Sequence, residues 1–478
     1  MGHGAFHGYW VEDLSRIDPR FGDAALLAEL TTQVHKRGMR LVLDLVVNHV
    51  GYQAPLLTEH PDWFHSEGTI ENWGDPVEVV THEVHGLPDL AQENDQVYAY
   101  LMDAARLWLQ TGIDGFRLDA VKHVPLEFWA KFNRELLADR PELVLLGEHY
   151  DGSPKIVDQV QREGAFTNMF DFPMAFALRD VFCQGQSLSA LASVLSNDRL
   201  YTDANSLVTF LDNHDMPRVL TQCGGDRARV ERALEAQFAL RGTPALTYGT
   251  ESGLEGGEEP NNRGDMRFDD DDALMKRIET LLRVRNERPS LVSGTTRILA
   301  FEEGLLVLLR EVAGEQTWIV INGQAKNHVD LDGLSGLAAE PYRDLLSDEK
   351  VDGSFDLEPF EVRWLEAAAP ISLDDLVAKR QVRFTVAEAN PEPNETLVIV
   401  GSGPELGAWS PADGVPLVLR ADLTYSARIE LPTALVFAYK VVVRGEDGQA
   451  KWEDGPNRSL FVAAGNAELN VSIETGEK

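Results

Sequence analysis

The chain has 478 residues, 44% hydrophobic and 25% charged, which is too long for one core and too apolar for disorder to dominate, so two or three domains are expected. With 43 Lys and Arg against 78 Asp and Glu, the formal net charge is −35. Such a surface repels nucleic acid and anionic lipid, and no apolar run is long enough to span a bilayer, so neither is expected as a partner. Neutral substrates stay open. Two cysteines, Cys183 and Cys223, allow one bridge or two free thiols.

From Asp23 to about Glu287, short β-prone runs alternate with amphipathic ones. Leu26, Leu27, Leu30 and Val34 follow Asp23, an N-cap, at helical spacing. Arg40–Val47 (RLVLDLVV) reads as a buried parallel strand. A helix over Gln96–Thr111 leads to the strand Gly115–Leu118, and a helix over Leu126–Ala138 to the strand Leu143–Gly147. Leu207–Leu211 and Ala245–Tyr248 repeat the theme. This alternation predicts an α/β fold with parallel strands.

The strand ends carry the functional signal. Each run stops on polar residues: Asp44 to His49, Arg117 and Asp119, Glu148, Asp212 to Asp215, and Glu251. One such carboxylate is best read as a helix cap; five in succession are not. In a (β/α)₈ barrel the active site is assembled at the carboxyl ends of the strands. Residues 51–94 form an insertion too long for an ordinary βα loop.

After Pro289 only strand-like runs appear. Leu305–Arg310, Trp318–Asn322 and Glu361–Glu366 predict a small antiparallel domain over 289–368, and residues 369–378 read as a linker. A second all-β unit, 379–478, has strands near Val382–Val386, Leu397–Gly401, Ser426–Leu431 and Val436–Val443. The acidic run Asp269–Asp272 reads as a solvated loop.

Taken in order, DLVVNH (Asp44–His49), LPDL (Leu87–Leu90), GFRLDAVKH (Gly115–His123), GEHYDG (Gly147–Gly152), FLDNHD (Phe210–Asp215) and GTESGLEGGEEPNNR (Gly249–Arg263) resemble the α-amylase family, glycoside hydrolase family 13, across roughly residues 1–366. The resemblance implies a (β/α)₈ TIM barrel over 1–288, with 51–94 as its inserted loop domain. In the family, HGYW (His7–Trp10) lies after the second barrel strand. The expectation is therefore a barrel lacking its first strands, six remaining where closure needs eight, and a chain incomplete at its N-terminus. No secretory signal is visible at MGHGAFHGYW, and secretion is expected from the family all the same.

Cleaving a glycosidic bond with retention needs a nucleophilic carboxylate and a carboxylic acid about 5–5.5 Å apart. Arg117, two residues before Asp119 on a strand, shares its face and keeps it ionised for attack. Glu148 ends another strand with fewer cations expected nearby, which suits a proton donor. Asp215 is the third carboxylate. The resemblance implies these three catalytic roles. It also implies sugar contacts from Tyr9, His49, Arg117, Lys122, His123 and His214, with Arg263 on the donor side, where Glu259 replaces the usual Asp companion. It implies a calcium ion held by Asn48, Asp89 and the carbonyl of His123, joining the long loop to the barrel.

Residues 379–478 resemble a family 20 starch-binding module through LGAW (Leu406–Trp409), FAYK (Phe437–Lys440) and WEDGPNR (Trp452–Arg458). The resemblance implies that Trp409 and Trp452 form a platform for the apolar faces of glucose, with Lys440, Glu453 and Asn457 around it. Val398 stands where a tyrosine of a second site is expected, so one site is predicted. The activity implied is an α-amylase hydrolysing internal α-1,4-glucosidic bonds of starch, a monomer if complete. The alternatives are a cyclodextrin-forming transglycosylase, disfavoured by His85 at a cleft position usually aromatic, and an inactive starch-binding fragment.

Overall fold

The computed structural model describes residues 7–268, 273–302, 304–331, 333, 341–371, 379–387, 389–464 and 467–474. Two compact units divide the chain, Met1–Phe172 with Ser206–Val208, and Pro173–Asn205 with Thr209–Lys478. The expected loop 269–272 and residues 372–378 of the expected linker lie outside the described residues.

The first unit is built on parallel strands β1 (Val42–Leu45), β2 (Gly115–Leu118), β3 (Val144–Gly147) and β4 (Asn168–Phe170), paired in that order. Strand β5 (Leu207–Thr209) continues the sheet, Leu207 and Val208 pairing with Met169 and Phe170. Helices α1 (Ala24–His35), α2 (Asp95–Leu109), α3 (Leu126–Asp139) and α4 (Pro154–Glu163) connect the strands. Asn94 caps α2 by accepting the Gln96 N–H, and its apolar residues recur at Val97, Leu101, Ala104, Ala105 and Trp108, all buried. Phe128, Trp129, Phe132 and Leu136 do the same for α3, each burial contributing about 1.5–3 kcal/mol. Strands β2 and β3 approach so closely at Gly115 that a Cβ there would lie 1.9 Å from the Val144 carbonyl oxygen. No other residue fits that crossing.

Helix α1 behaves differently. Asp23 caps it as expected, but among its residues only Thr31 is buried, and Leu26 and Leu30 are half exposed. They border an open trough of about 860 Å³ shared with Leu43, Leu45 and Trp108. Strand β1 pairs with β2 on one side only, among the described residues. The sheet is thus an open parallel run, in keeping with the partial barrel expected from the sequence.

In the second unit, Thr209 of β5 accepts the Ala245 N–H at 2.7 Å, which brings β6 (Thr243–Pro244) beside β5. The last strand falls two residues earlier than Ala245–Tyr248, and β4 was not foreseen. Both are only two or three residues long, too short for a periodic signal. Helices α5 (Phe172–Phe182), α6 (Ser189–Ser196), α7 (Arg227–Ala239) and α8 (Ala273–Glu287) supply a continuous core with the antiparallel domain. That domain comprises β7 (Thr295–Glu302), β8 (Leu305–Val312), β9 (Glu315–Asn322), β10 (Asn327–Asp330), β11 (Tyr342–Asp344), β12 (Lys350–Val351), β13 (Ser354–Leu357) and β14 (Val362–Ala367). Six of them form a sheet in the order β12-β11-β14-β9-β8-β7, and β10 pairs with β13. Trp364 joins it to α7, its indole N–H donating to the Glu235 carbonyl at 3.2 Å.

The C-terminal module is a sandwich of two sheets. Strands β15 (Lys379–Ala387), β16 (Glu395–Gly401), β17 (Val415–Pro416), β18 (Val418–Leu419), β19 (Tyr425–Pro432), β20 (Leu435–Gly445), β21 (Ala450–Trp452), β22 (Arg458–Val462) and β23 (Leu469–Glu474) follow in sequence. One sheet runs β18-β19-β15-β23 and the other β17-β16-β20-β21, with β22 also on β20. Val382, Phe384, Ile399, Phe437 and Val441 fill the space between.

Cys183 and Cys223 form a disulfide across 40 residues of sequence, both largely buried. Closing a loop of that length in the unfolded chain is worth about 4 kcal/mol. Cys183→Ser is expected to lower the unfolding free energy of the second unit by about 2–4 kcal/mol, read in urea. An unchanged denaturation midpoint would show that the bridge does not constrain the unfolded chain.

Candidate active site

The register of the parallel sheet builds the first part of the site. Asp44 of β1 and Arg117 of β2 are direct register partners, so their side chains stand side by side. The pairing runs past the strand ends, with Asp119 N–H on the Leu45 carbonyl and Glu148 N–H on the Leu118 carbonyl. Asp119 and Glu148 are therefore delivered to one level at the carboxyl edge.

Arg117 is buried among them. Its Nη1 donates to Asp44 at 3.0 Å and to Asp119, while Nη2 lies 2.7 Å from Glu148 Oε1. Burial disfavours its charge, but Asp44, Glu148 and Asp119 outweigh that and raise its pKa. The expectation that Glu148 would have fewer cations nearby is not met, because the long guanidinium reaches across to the neighbouring strand. Three carboxyl groups share that one cation, so the cluster as a whole has reason to hold a proton. Asp44, not singled out from sequence, also accepts the Tyr9 hydroxyl at 2.6 Å and so positions the predicted stacking ring. Its place opposite Arg117 could have been found by aligning the two strands.

Immediately after Asp119, Ala120 adopts a left-handed backbone, φ +50°, which is uncommon for a side-chain-bearing residue. It turns the chain into Val121–His123, held by the Val121 N–H on the Glu148 carbonyl and by the Trp129 indole N–H on the Val121 carbonyl. Lys122 and His123 lie on this turn, and His123 Nδ1 is 3.0 Å from the Val79 carbonyl of the inserted loop. His49 is buried with Nε2 3.2 Å from the Tyr9 carbonyl, and burial lowers its pKa to about 4, so it is neutral. On the inserted loop the exposed Trp73 indole, unnoticed in the sequence, lies 5.8 Å from both the His85 and His123 rings.

Two of the three expected calcium ligands have side-chain oxygens that would fit a cation. Asn48 Oδ1 and Asp89 Oδ1 are both buried with no hydrogen-bond partner, which two oxygens of a cation site would be. They sit on neighbouring segments, since the Leu90 N–H donates to the Asn48 carbonyl and His49 bridges to Asp89. The other Asp89 oxygen is 2.6 Å from His65 Nδ1, and that bond raises the His65 pKa to about 9. Among the described residues no cluster of three or more His, Cys, Asp or Glu side chains occurs. A site of one amide, one carboxylate and one carbonyl oxygen is of a different kind.

The second unit carries the remaining predicted residues. After β5, Asp212 is buried and accepts the Val219 N–H at 2.7 Å beside Arg218, an anchoring role. Asp215 is half exposed, 3.1 Å from His214 Nε2 and 3.2 Å from Arg263 Nη2. Arg263 also donates to the His214 carbonyl and lies 3.7 Å from Glu259. The motif thus divides into a structural aspartate and a presented one.

In the C-terminal module the Trp409 and Trp452 rings are 6.3 Å apart and tilted by 41°. Gly407, Ala408 and Trp409 all have left-handed backbones, which carry the indole onto the surface over Val398, Val400 and Val442. Val398 is fully buried beneath Trp409. Lys440 Nζ donates to the Glu453 and Gly455 carbonyls, and Glu453 accepts the Val441 N–H and binds Arg458. Both therefore brace the loop that bears Trp452, while Asn457 is exposed on it.

Comparison with known proteins gives the family. Residues 3–289 match the family model for the α-amylase catalytic domain, and residues 379–472 that for a starch binding domain. The chain belongs to the α-amylase family. It is similar to a cyclomaltodextrin glucanotransferase of Klebsiella oxytoca, 26% identical over 96% of this chain and 81% of that protein. A cyclomaltodextrinase of a Bacillus species is 33% identical over 70% of this chain and 63% of its own length. Among solved structures, the α-amylase of Geobacillus thermoleovorans superposes with a TM-score of 0.71 at 34% identity, covering 77% of this chain and 86% of that one.

His149, next to the Glu148 position, is buried, and burial lowers its pKa to about 4 despite Asp151; Lys122 and His123 add to the effect. In the unfolded chain a histidine titrates near 6.5. The folded value being the lower one, its contribution is whole above pH 6.5 and is lost as pH falls towards 4, by up to about 3 kcal/mol. His149→Gln is expected to flatten the pH dependence of urea unfolding of the first unit between pH 7 and 4.5. An unchanged slope would mean that the imidazole takes up its proton as readily in the fold as in the unfolded chain.

Proposed function

We propose that this α-amylase-family enzyme hydrolyses internal α-1,4-glucosidic bonds of starch and related glucans with retention of configuration. The observation that carries the reading is Arg117 bonded at once to Asp119 and Glu148. Two carboxyl groups bonded to the two terminal nitrogens of one guanidinium stand close together, which supports the short spacing of a retaining pair, about 5–5.5 Å, over the wider one of an inverting pair. Asp119 attacks the anomeric carbon while Glu148 gives its proton to the departing glycosidic oxygen. The resulting glycosyl ester is opened by water, whose proton returns to Glu148 as Asp119 is released. Two inversions give net retention. The role of Asp215 as third carboxylate rests on its motif alone. Asp119→Asn is expected to lower turnover on soluble starch by about four orders of magnitude, and wild-type hydrolysis to yield linear products in the α-configuration. Near wild-type turnover by Asp119→Asn would sink the assignment.

A second reading, cyclising transfer, is favoured by the glucanotransferase relative that spans 96% of this chain. Cyclic products as the main yield from starch would decide for it. The buried disulfide supports an extracellular setting, where such bonds persist.

Calcium belongs to the same proposal. Asn48 and Asp89, with the His123 carbonyl, would hold it and tie the inserted loop to the end of β1; it supplies oxygen-ligated cross-linking there. A ligand that binds only the native state raises the melting temperature. EDTA is expected to lower the melting temperature of metal-replete protein, calcium to restore it, and Asn48→Ala to be insensitive to both. A wild-type melting curve unmoved by chelator would remove calcium from the account.

A further inference from the structure

The turn that presents the platform indole also touches another part of the second unit. Trp409 ends the segment Pro404–Trp409, and Glu405 of that segment pairs with Arg199 Nη2 at 2.6 Å. Arg199 follows directly from helix α6. The helix itself makes the deeper contact: Ser196 Oγ, which donates to the Ala192 carbonyl, accepts the Val436 N–H of β20 at 2.7 Å in a buried position. Val436 is fully buried and belongs to the same core as Leu191, Leu195 and Ile298, with Phe461 of β22 packed against it. A backbone N–H and an apolar strand residue of the module are thus satisfied by α6 and β7, outside the module.

We propose that the C-terminal module is docked on helix α6 as a fixed part of the second unit, and that glucan bound at Trp409 and Trp452 is felt there through the turn holding Glu405. The ligand half of this rests on the platform reading above; the docking half does not. Two modules on a loose tether melt independently, whereas a shared core melts as one, and a ligand on either part then stabilises both.

The test is differential scanning calorimetry of the full chain, with β-cyclodextrin as the probe and Asp119→Asn as background so that the probe is not consumed. The module and the rest of the second unit are expected to melt in one transition, which β-cyclodextrin at 100 times its Kd raises by about 4 °C. Trp409→Ala with Trp452→Ala should abolish that rise. Val436→Asp should split the transition in two, with only the smaller one moved by β-cyclodextrin, while its Kd and, with Asp119 restored, turnover on malto-oligosaccharides stay within about twofold. Where Val436→Asp no longer binds β-cyclodextrin, its module has unfolded and Arg199→Glu decides: the rise should shrink, and Glu405→Arg added to it should restore it. Two separate transitions in the parent chain, or a rise unaffected by Arg199→Glu, would overturn the docking. Absence of β-cyclodextrin binding in the parent chain would overturn only the platform reading, because the number of transitions is read without the probe.

Discussion

The first unit's chemistry depends on one buried guanidinium. Arg117 occupies the carboxyl edge of β2, where withdrawal from water would be costly for an unpaired charge. Asp44, Asp119 and Glu148 approach it from three different segments, and the sheet register alone decides that they can. A slip of one residue in β1 would turn Asp44 to the opposite face and leave Arg117 with less compensation. Gly115 guards that register, since no larger residue can pass the Val144 carbonyl. The same sheet that forms the core thus sets the spacing of the three carboxyl groups around Arg117.

Charge placement follows a second rule in the other unit. Asp212 and Asp215 lie in one hexapeptide, yet the first is buried against Arg218 and a backbone N–H while the second is half exposed. A buried carboxylate must be satisfied by its own fold, whereas Asp215, paired with His214 and Arg263, keeps part of its carboxyl group in contact with solvent. The resemblance of FLDNHD to its family motif singles out Asp215, but composition alone does not tell the two apart. Only the depth of each residue beyond the end of β5 separates them.

Much of this was legible in the sequence. The alternation of runs located most of the parallel strands and helices α1, α2 and α3 to within two or three residues, because their apolar residues recur at regular spacing. The polar residues closing successive strands located Arg117, Asp119 and Glu148 at one edge. What stayed hidden was non-local. Glu148 looked poor in cations because its partner Arg117 is 31 residues away in sequence and on another strand. His65 and Trp73 carry no motif, and Asp44 opens DLVVNH without a role assigned to it; the three acquire meaning only from a bond to Asp89, from neighbouring rings and from register respectively. Helix α1 shows the reverse failure, its apolar spacing correct and its burial not.

The C-terminal module raises a question of physics that its sequence alone would answer wrongly. A Pro- and Ala-containing stretch before an independent-looking β unit suggests a tether, and a tethered module helps by raising effective concentration in a way set by linker length. Val436 adds a fixed contact to that picture, since it shares a core with helix α6 and β7 as well as with Phe461 of its own sandwich. The Ser196 hydroxyl then completes the strand's hydrogen bonding, a role that solvent would play in a free module. With the docking turn and the platform turn being one segment, the glucan-binding surface points in a direction fixed by the fold. Gain from such a module depends on geometry and is insensitive to the length of the connecting residues.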